Sequence, residues 1–213
     1  MIRREEYATG RTIDIHGDGG QGIALLWHGR GPNERAALAP LAEVVAAAGV
    51  CALVPDWNSE AADGGKSELL ATVRYARNAS GGLGIQPERL VMVGWSLGGT
   101  AALGLAVHAS RYARISGRTI LIAPGSSEHA VDPMSGQPLP ATFPTGVGQP
   151  TIDMLYGSRD EVVESGLVVD LESRLRKAGW GTTLKDLDAG HTDILSAPEV
   201  AAAIVAAATS LST

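Results

Sequence analysis

The chain has 213 residues, enough for one domain with a substantial core, and a net charge of −6. That charge argues against nucleic acid and against an anionic membrane surface as partners. Aromatic residues make up only 4% of the chain, with a single Phe, so the core must be built largely from Ala, Val, Leu and Ile.

The first ten residues, "MIRREEYATG", contain no apolar leader segment, and "RTIDIHG" (11–17) alternates polar and apolar as a half-exposed strand does. The two segments are expected to pair through a turn at Thr9-Gly10. After "DGGQG" comes the apolar run "IALLWHG" (23–29), then a helical pattern near 34–48. Leu38, Leu41, Val44, Val45 and Ala48 are expected on one face of that helix, and Pro40 to start or kink it. The next strand is "GVCALVPDW" (49–57). Its Cys51 is the one cysteine of the chain, so no intramolecular disulfide can form and the residue reads as a buried small hydrophobe.

A helix near 66–78 places Leu69, Leu70, Val73 and Ala76 on one side. "RLVMVGWS" (89–96) is a strand, followed by a helix from Leu97 to about Val107, and "RTILIAPG" (118–125) is a further strand. The segment 126–150 is rich in Pro, Gly and Ser and reads as a long surface loop or minimal cap within a single domain spanning 1–213. "TIDMLYG" (151–157), a helix near 163–177, "TTLKDLDAGH" (182–191) and a helix near 198–209 complete the chain. The alanine-rich end of that last helix is too short to span a bilayer, and a cytoplasmic protein is expected.

Runs such as "VCALV", "LVMV" and "ILIA" are apolar on both strand faces, the pattern of a parallel sheet covered by helices. The expected fold is therefore α/β, an open, mostly parallel sheet with helices on both faces and no large cap domain. In such sheets ligands bind beyond the carboxyl ends of the strands. The residues at those ends are Trp27-His28-Gly29-Arg30-Gly31, Asp56-Trp57, Trp95-Ser96, Gly125-Ser126-Ser127, Gly157-Ser158-Arg159-Asp160 and Gly190-His191.

Ser96 sits in "GWSLG", where a strand gives way to a helix. With 27 Gly and 15 Ser in the chain, such a pattern arises by chance about once in four chains of this composition. Chance does not also supply an Asp and a His at the ends of two later strands. The motifs "LLWHGRG", "VGWSLGG", "YGSRDEVV" and "AGH" resemble those of the α/β-hydrolases, whose catalytic residues follow the order Ser, Asp, His. The resemblance runs from about residue 11 to the end. It is nearest to the small, lidless carboxylesterases, acyl-thioesterases and dienelactone-hydrolase relatives, the last of which usually carry Cys where this chain has Ser96.

The resemblance implies a serine hydrolase of carboxylic esters with Ser96 as nucleophile, His191 as general base and acid, and Asp160 orienting the imidazole. Asp160 also suits the N-cap of the helix that follows it. Asp132 and Asp193 are rivals for the acid. The backbone N–H groups of Arg30 and Leu97 would form the oxyanion hole, with His28 bracing the loop that carries Arg30. Asp56 reads as a further loop brace and Arg159 as an ion-pair former. Trp27, Trp57 and Trp95 all fall at strand ends on this rim and are candidate walls of an apolar substrate pocket. Trp180 falls at the opposite edge and reads as structural. His16, His108 and His129 show no metal spacing, and no metal or cofactor is implied. The expected partner is a small-molecule ester, and nothing beyond the apolar C-terminal helix points to a homo-oligomer. Alternative readings are a thioesterase or lactone hydrolase, and a non-catalytic ligand-binding protein on the same fold.

Overall fold

The computed structural model describes residues 2–112, 115, 117–127 and 130–210. An antiparallel hairpin, β1 (Ile2–Ala8) and β2 (Arg11–His16), opens the chain, its turn at Thr9-Gly10 relying on a left-handed Gly10. Next come β3 (Gly22–Trp27), α1 (Arg35–Ala47), β4 (Val50–Pro55), α2 (Lys66–Gly82), β5 (Leu90–Trp95) and α3 (Leu97–Val107). The second half holds β6 (Thr119–Ile122), the short strands β7 (Val131–Asp132) and β8 (Gln137–Pro138), β9 (Ile152–Gly157), α4 (Ser165–Lys177), β10 (Thr182–Leu187) and α5 (Pro198–Thr209). Single 3-10 turns cover Pro87–Arg89 and Asp193–Ser196.

Eight strands form one sheet in the order β1-β2-β4-β3-β5-β6-β9-β10. The β1–β2 and β2–β4 pairs are antiparallel and every other pair is parallel. Alternation along each strand sorts the core onto the two faces. Ile23, Leu25 and Trp27 of β3 pack with Leu69 and Val73 of α2, Ala101 of α3 and Val168 and Leu171 of α4. Ala24 and Leu26 pack on the other face with Leu38, Leu41 and Val45 of α1 and Val200 and Ile204 of α5. The sheet is thus covered on both sides, which explains the continuous apolar runs of its central strands.

Two details of the helices differ from expectation. Val44 is 56% exposed and Ala48 is also exposed, because α1 turns Leu38, Leu41, Ala42 and Val45 to the sheet instead. Pro40 lies inside α1 and does not begin it. Cys51 is buried in β4, and burial pushes its thiol up to about 11.

The connection between β6 and β9 runs from the cavity-lining Ser126, Ser127 and Ala130 down the side of the fold. Its β7–β8 hairpin lies along α3, where Gly104 leaves room for the Asp132 carboxylate. Further on, the Arg174 guanidinium of α4 donates to the Pro140 carbonyl, and the Trp180 indole donates to that of Pro144. Trp180 is structural, as its position at the far edge implied. No helix among the described residues is long and apolar enough to cross a membrane.

Candidate active site

At the end of β5 the chain reverses into α3 through Ser96, whose φ of 55° and ψ of −121° are rare for a residue with a Cβ. Such a conformation costs on the order of 1–3 kcal/mol and needs support from its surroundings. That support is visible. The Ser96 N–H donates to Ile122 of β6 at 2.9 Å, and its carbonyl accepts from the Gly99 and Gly125 amides at 2.9 and 3.1 Å. Glycine is required on both sides of the turn: a Cβ on Gly94 would run into the Gly98 backbone, and one on Gly98 into the Trp27 and His28 carbonyls.

His191 follows β10, and Asp160 follows β9. These parallel neighbours bring Asp160 Oδ2 to 2.7 Å from His191 Nδ1, and His191 Nε2 lies 3.0 Å from Ser96 Oγ. The Asp160 side chain is 1% exposed and that of His191 is 13% exposed. Oδ1 of the same carboxylate accepts the Val162 and Val163 amides, each at 2.8 Å. Asp160 therefore fixes its own turn with one oxygen and faces the imidazole with the other. It does not cap α4, which starts at Ser165 with Glu164 at its N-cap. Arg159 pairs with Asp188 across the same two loops at 2.6 Å.

Of the rival acids, Asp132 spends its carboxylate on the Met134 and Ser135 amides beneath α3, where burial raises its pKa. Asp193 opens the 3-10 turn that follows His191 and does not bond the ring.

The loop after β3 is held from both ends. Buried His28 donates from Nδ1 to the Gly29 carbonyl at 2.8 Å and accepts the Glu34 amide on Nε2 at 3.3 Å. That pattern needs the neutral ring, and burial pushes the His28 imidazole down to about 4. Ser59, which has no local signature in the sequence, accepts the Gly31 amide at 2.8 Å and donates its own amide to the Gly31 carbonyl at 3.1 Å. Asp56 accepts the Thr12 amide and hydroxyl at 3.0 and 3.1 Å, a loop brace as its position implied. Among the described residues, neither the Arg30 amide nor the Leu97 amide at the first position of α3 has an acceptor. Both residues border the same cavity as Ser96 and His191.

That cavity has a volume of about 480 Å³. Trp95, Ala130, Val162, Val163 and Leu167 give it an apolar side, and Arg30, Glu34, Ser126 and Ser127 a polar one. Only Trp95 of the three candidate tryptophans reaches it. Trp27 is fully buried, because strand parity places it with Ile23 and Leu25 on the α2 side, where its indole donates to Thr72 Oγ1 at 2.9 Å. Trp57 is likewise fully buried and stacks on His28 at 5.0 Å. Neither is a pocket wall. Trp95 does more than line the cavity: its indole N–H donates to the His191 carbonyl at 3.0 Å.

Among the described residues, no group of three or more His, Cys, Asp and Glu side chains is placed to hold a metal ion. His129 lies outside the described residues.

A mostly parallel eight-stranded sheet in this order, with a strained serine at the turn after β5, defines the α/β-hydrolase fold. The sequence matches no protein-family model and no curated protein. Solved structures do share the fold. A thermophilic esterase, Est2, of the Planctomycetes species Thermogutta terrifontis is 17% identical, with a TM-score of 0.70 over 90% of this chain and 83% of that one. MGS-M1, an alpha/beta hydrolase from a Medee basin deep-sea metagenome, is 19% identical, with a TM-score of 0.69 over 90% of this chain and 83% of its own. An esterase/lipase from an uncultured bacterium is 19% identical, with a TM-score of 0.70 over 97% and 83% of the two chains.

Proposed function

We propose that the protein is a serine hydrolase that cleaves carboxylic esters of small or soluble acyl substrates through an acyl-enzyme. The observation that carries this reading is the unbroken line Asp160–His191–Ser96, at 2.7 and 3.0 Å, opening onto a cavity. With Nδ1–H donated to the Asp160 carboxylate, Nε2 presents its lone pair to the Ser96 hydroxyl.

In the first half-reaction Ser96 Oγ bonds to the ester carbonyl carbon while its proton passes to His191 Nε2. The carbonyl π pair moves to oxygen, where the Arg30 and Leu97 amides meet the developing charge, helped by the N-terminal dipole of α3. Collapse re-forms the carbonyl and breaks the bond to the alkoxy oxygen, which leaves as the alcohol with the proton from Nε2. In the second half a water gives its proton to Nε2 and attacks the acyl carbon; collapse breaks the bond to Ser96 Oγ, which takes the proton back from Nε2, and releases the carboxylic acid. Est2 of Thermogutta terrifontis has been described in forms phosphorylated by paraoxon and phosphonylated by sarin, in line with a reactive nucleophile on this fold.

The test is intact-mass measurement after exposure to a fluorophosphonate. One adduct on the native chain, absent from Ser96→Ala, is the expected result. An unmodified native protein would refute the reading and favour a ligand-binding role on the same scaffold. Paired oxygen-ester and thioester substrates then decide which acyl bond the site prefers.

A further inference from the structure

The peptide that joins Ser96 to Leu97 has two ends with different tasks. Its N–H, that of Leu97, is one of the two donors proposed for the oxyanion, and it has no acceptor among the described residues. Its C=O, that of Ser96, accepts the amides of Gly99 at 2.9 Å, Thr100 at 3.2 Å and Gly125 at 3.1 Å. The peptide is trans and planar, so whatever fixes the direction of the carbonyl also fixes that of the N–H on the opposite side. Donors on the carbonyl also polarise the peptide and strengthen its N–H as a donor. Gly99 and Thr100 belong to α3 itself, whereas Gly125 arrives from the end of β6.

Thr100 holds Gly125 in that place. Its side chain is fully buried, and its hydroxyl donates to the Gly125 carbonyl at 2.7 Å, against 3.5 Å to the Ser96 carbonyl. The approach to Gly125 is sharply bent: Ala123 keeps a φ of 42° while fully buried, and its amide donates to the Leu155 carbonyl at 2.8 Å. A backbone in so rare a conformation has to be held from both sides. The Leu155 carbonyl holds it before the bend and the Thr100 hydroxyl after it.

We propose that Thr100 is a positioning residue for the oxyanion hole: through Gly125, its hydroxyl sets the direction of the Leu97 N–H. The inference rests on the esterase reading. Thr100 does not touch substrate, since it is 0% exposed and does not border the cavity. A methyl group cannot stand 2.7 Å from a carbonyl oxygen, so Thr100→Val loses the bond and pushes Gly125 away. Thr100→Ala loses the bond without crowding, and Thr100→Ser keeps it.

The oxyanion can be observed directly. A trifluoromethyl ketone such as 1,1,1-trifluoro-2-hexanone adds to an activated serine as a hemiketal, whose hydroxyl ionises in the oxyanion hole. Fluorine NMR across a pH series gives the pKa of that hydroxyl, and turnover of 4-nitrophenyl butyrate gives kcat for the same proteins. In Thr100→Val and Thr100→Ala, kcat is expected to fall about three- to tenfold, the span of one neutral hydrogen bond. The hemiketal titration should rise in step by about half to one pH unit. Thr100→Ser should match the native protein in both. An unmoved titration in Thr100→Ala would overturn the assignment even if the thermal midpoint or kcat fell, because the hydroxyl would then be structural. A Thr100→Ser titration displaced as far as that of Thr100→Ala would overturn it as well. Should Thr100→Val fail to fold, the Ala and Ser pair decides alone. A native protein that neither forms the hemiketal nor cleaves the ester would instead count against the esterase reading, so the two failures are distinguishable.

Discussion

Asp160 performs two tasks with two oxygens, and two substitutions separate them. In Asp160→Asn the side-chain carbonyl can still accept the Val162 and Val163 amides, but the amide NH2 then faces His191 Nδ1 in place of Oδ2. The imidazole must answer by carrying its proton on Nε2, so it can no longer take the proton of Ser96. The loss expected from a wrong tautomer in a triad is about 10⁴-fold in kcat. Asp160→Ala removes the orienting group as well and should be similarly inactive, but it also strands both amides. Leaving a buried N–H without an acceptor costs about 1–3 kcal/mol. Val162 is 71% exposed and its amide can turn to water, while Val163 is buried, so we expect Ala to be about 2 kcal/mol less stable than Asn. Urea denaturation of both variants, beside turnover of a 4-nitrophenyl ester, reads the two effects separately. Activity of Asp160→Asn within tenfold of native would refute the assignment of the acid. Equal stabilities of the Asn and Ala variants would refute the account of Oδ1.

Two further outcomes test the surroundings of the proposed triad. His28 holds its folded pKa at about 4, below the 6.5 of the unfolded chain, so the unfolded state binds the extra proton between these values. Its contribution is fully present above pH 6.5 and is lost as the pH falls toward 4, amounting to about 3 kcal/mol; urea midpoints across that range should decline more steeply in the native protein than in His28→Asn. Trp95→Phe keeps the ring but removes the indole bond to the His191 carbonyl, and kcat is expected to fall about tenfold with KM little changed; an unchanged kcat would show that the 191 loop holds its place without it.

The sheet was legible because its strands are apolar on both faces and the intervening helices carry a 3.6-residue repeat. The serine, the acid and the histidine were legible as positions because each ends a strand, and strand ends on a parallel sheet share one rim. Distances were not legible, since they depend on the β9–β10 register and on turns such as Ser158-Arg159 and Asp188-Ala189. The tryptophans show the limit most clearly. All three lie at or just beyond the ends of strands, but proximity to the rim is not access to the pocket. Parity along β3 assigns Trp27 to the face of Ile23 and Leu25, away from the cavity. Trp57 follows the end of β4, in a loop where no period applies, and only the fold shows it turning back onto His28. Ser59 braces the Gly31 loop from 28 residues away and had no local signature.

Trp95 explains how the separate strand ends act as one site. It is the residue before Ser96. Its ring lies 5.3 Å from the imidazole of His191 and donates to the carbonyl of the same residue. Ser96 and His191, 95 residues apart, are thereby joined twice: once through the Oγ–Nε2 contact and once through the neighbouring indole. The second link does not depend on the protonation of either reacting group. In the proposed mechanism, when the proton leaves Ser96 and the first contact changes character, the loop carrying His191 remains tied to β5. A site that must return the proton to a leaving group needs this constancy, because the ring has to stay in place while its charge changes. Trp95 thus ties the loop of His191 to the end of β5 as well as lining the cavity.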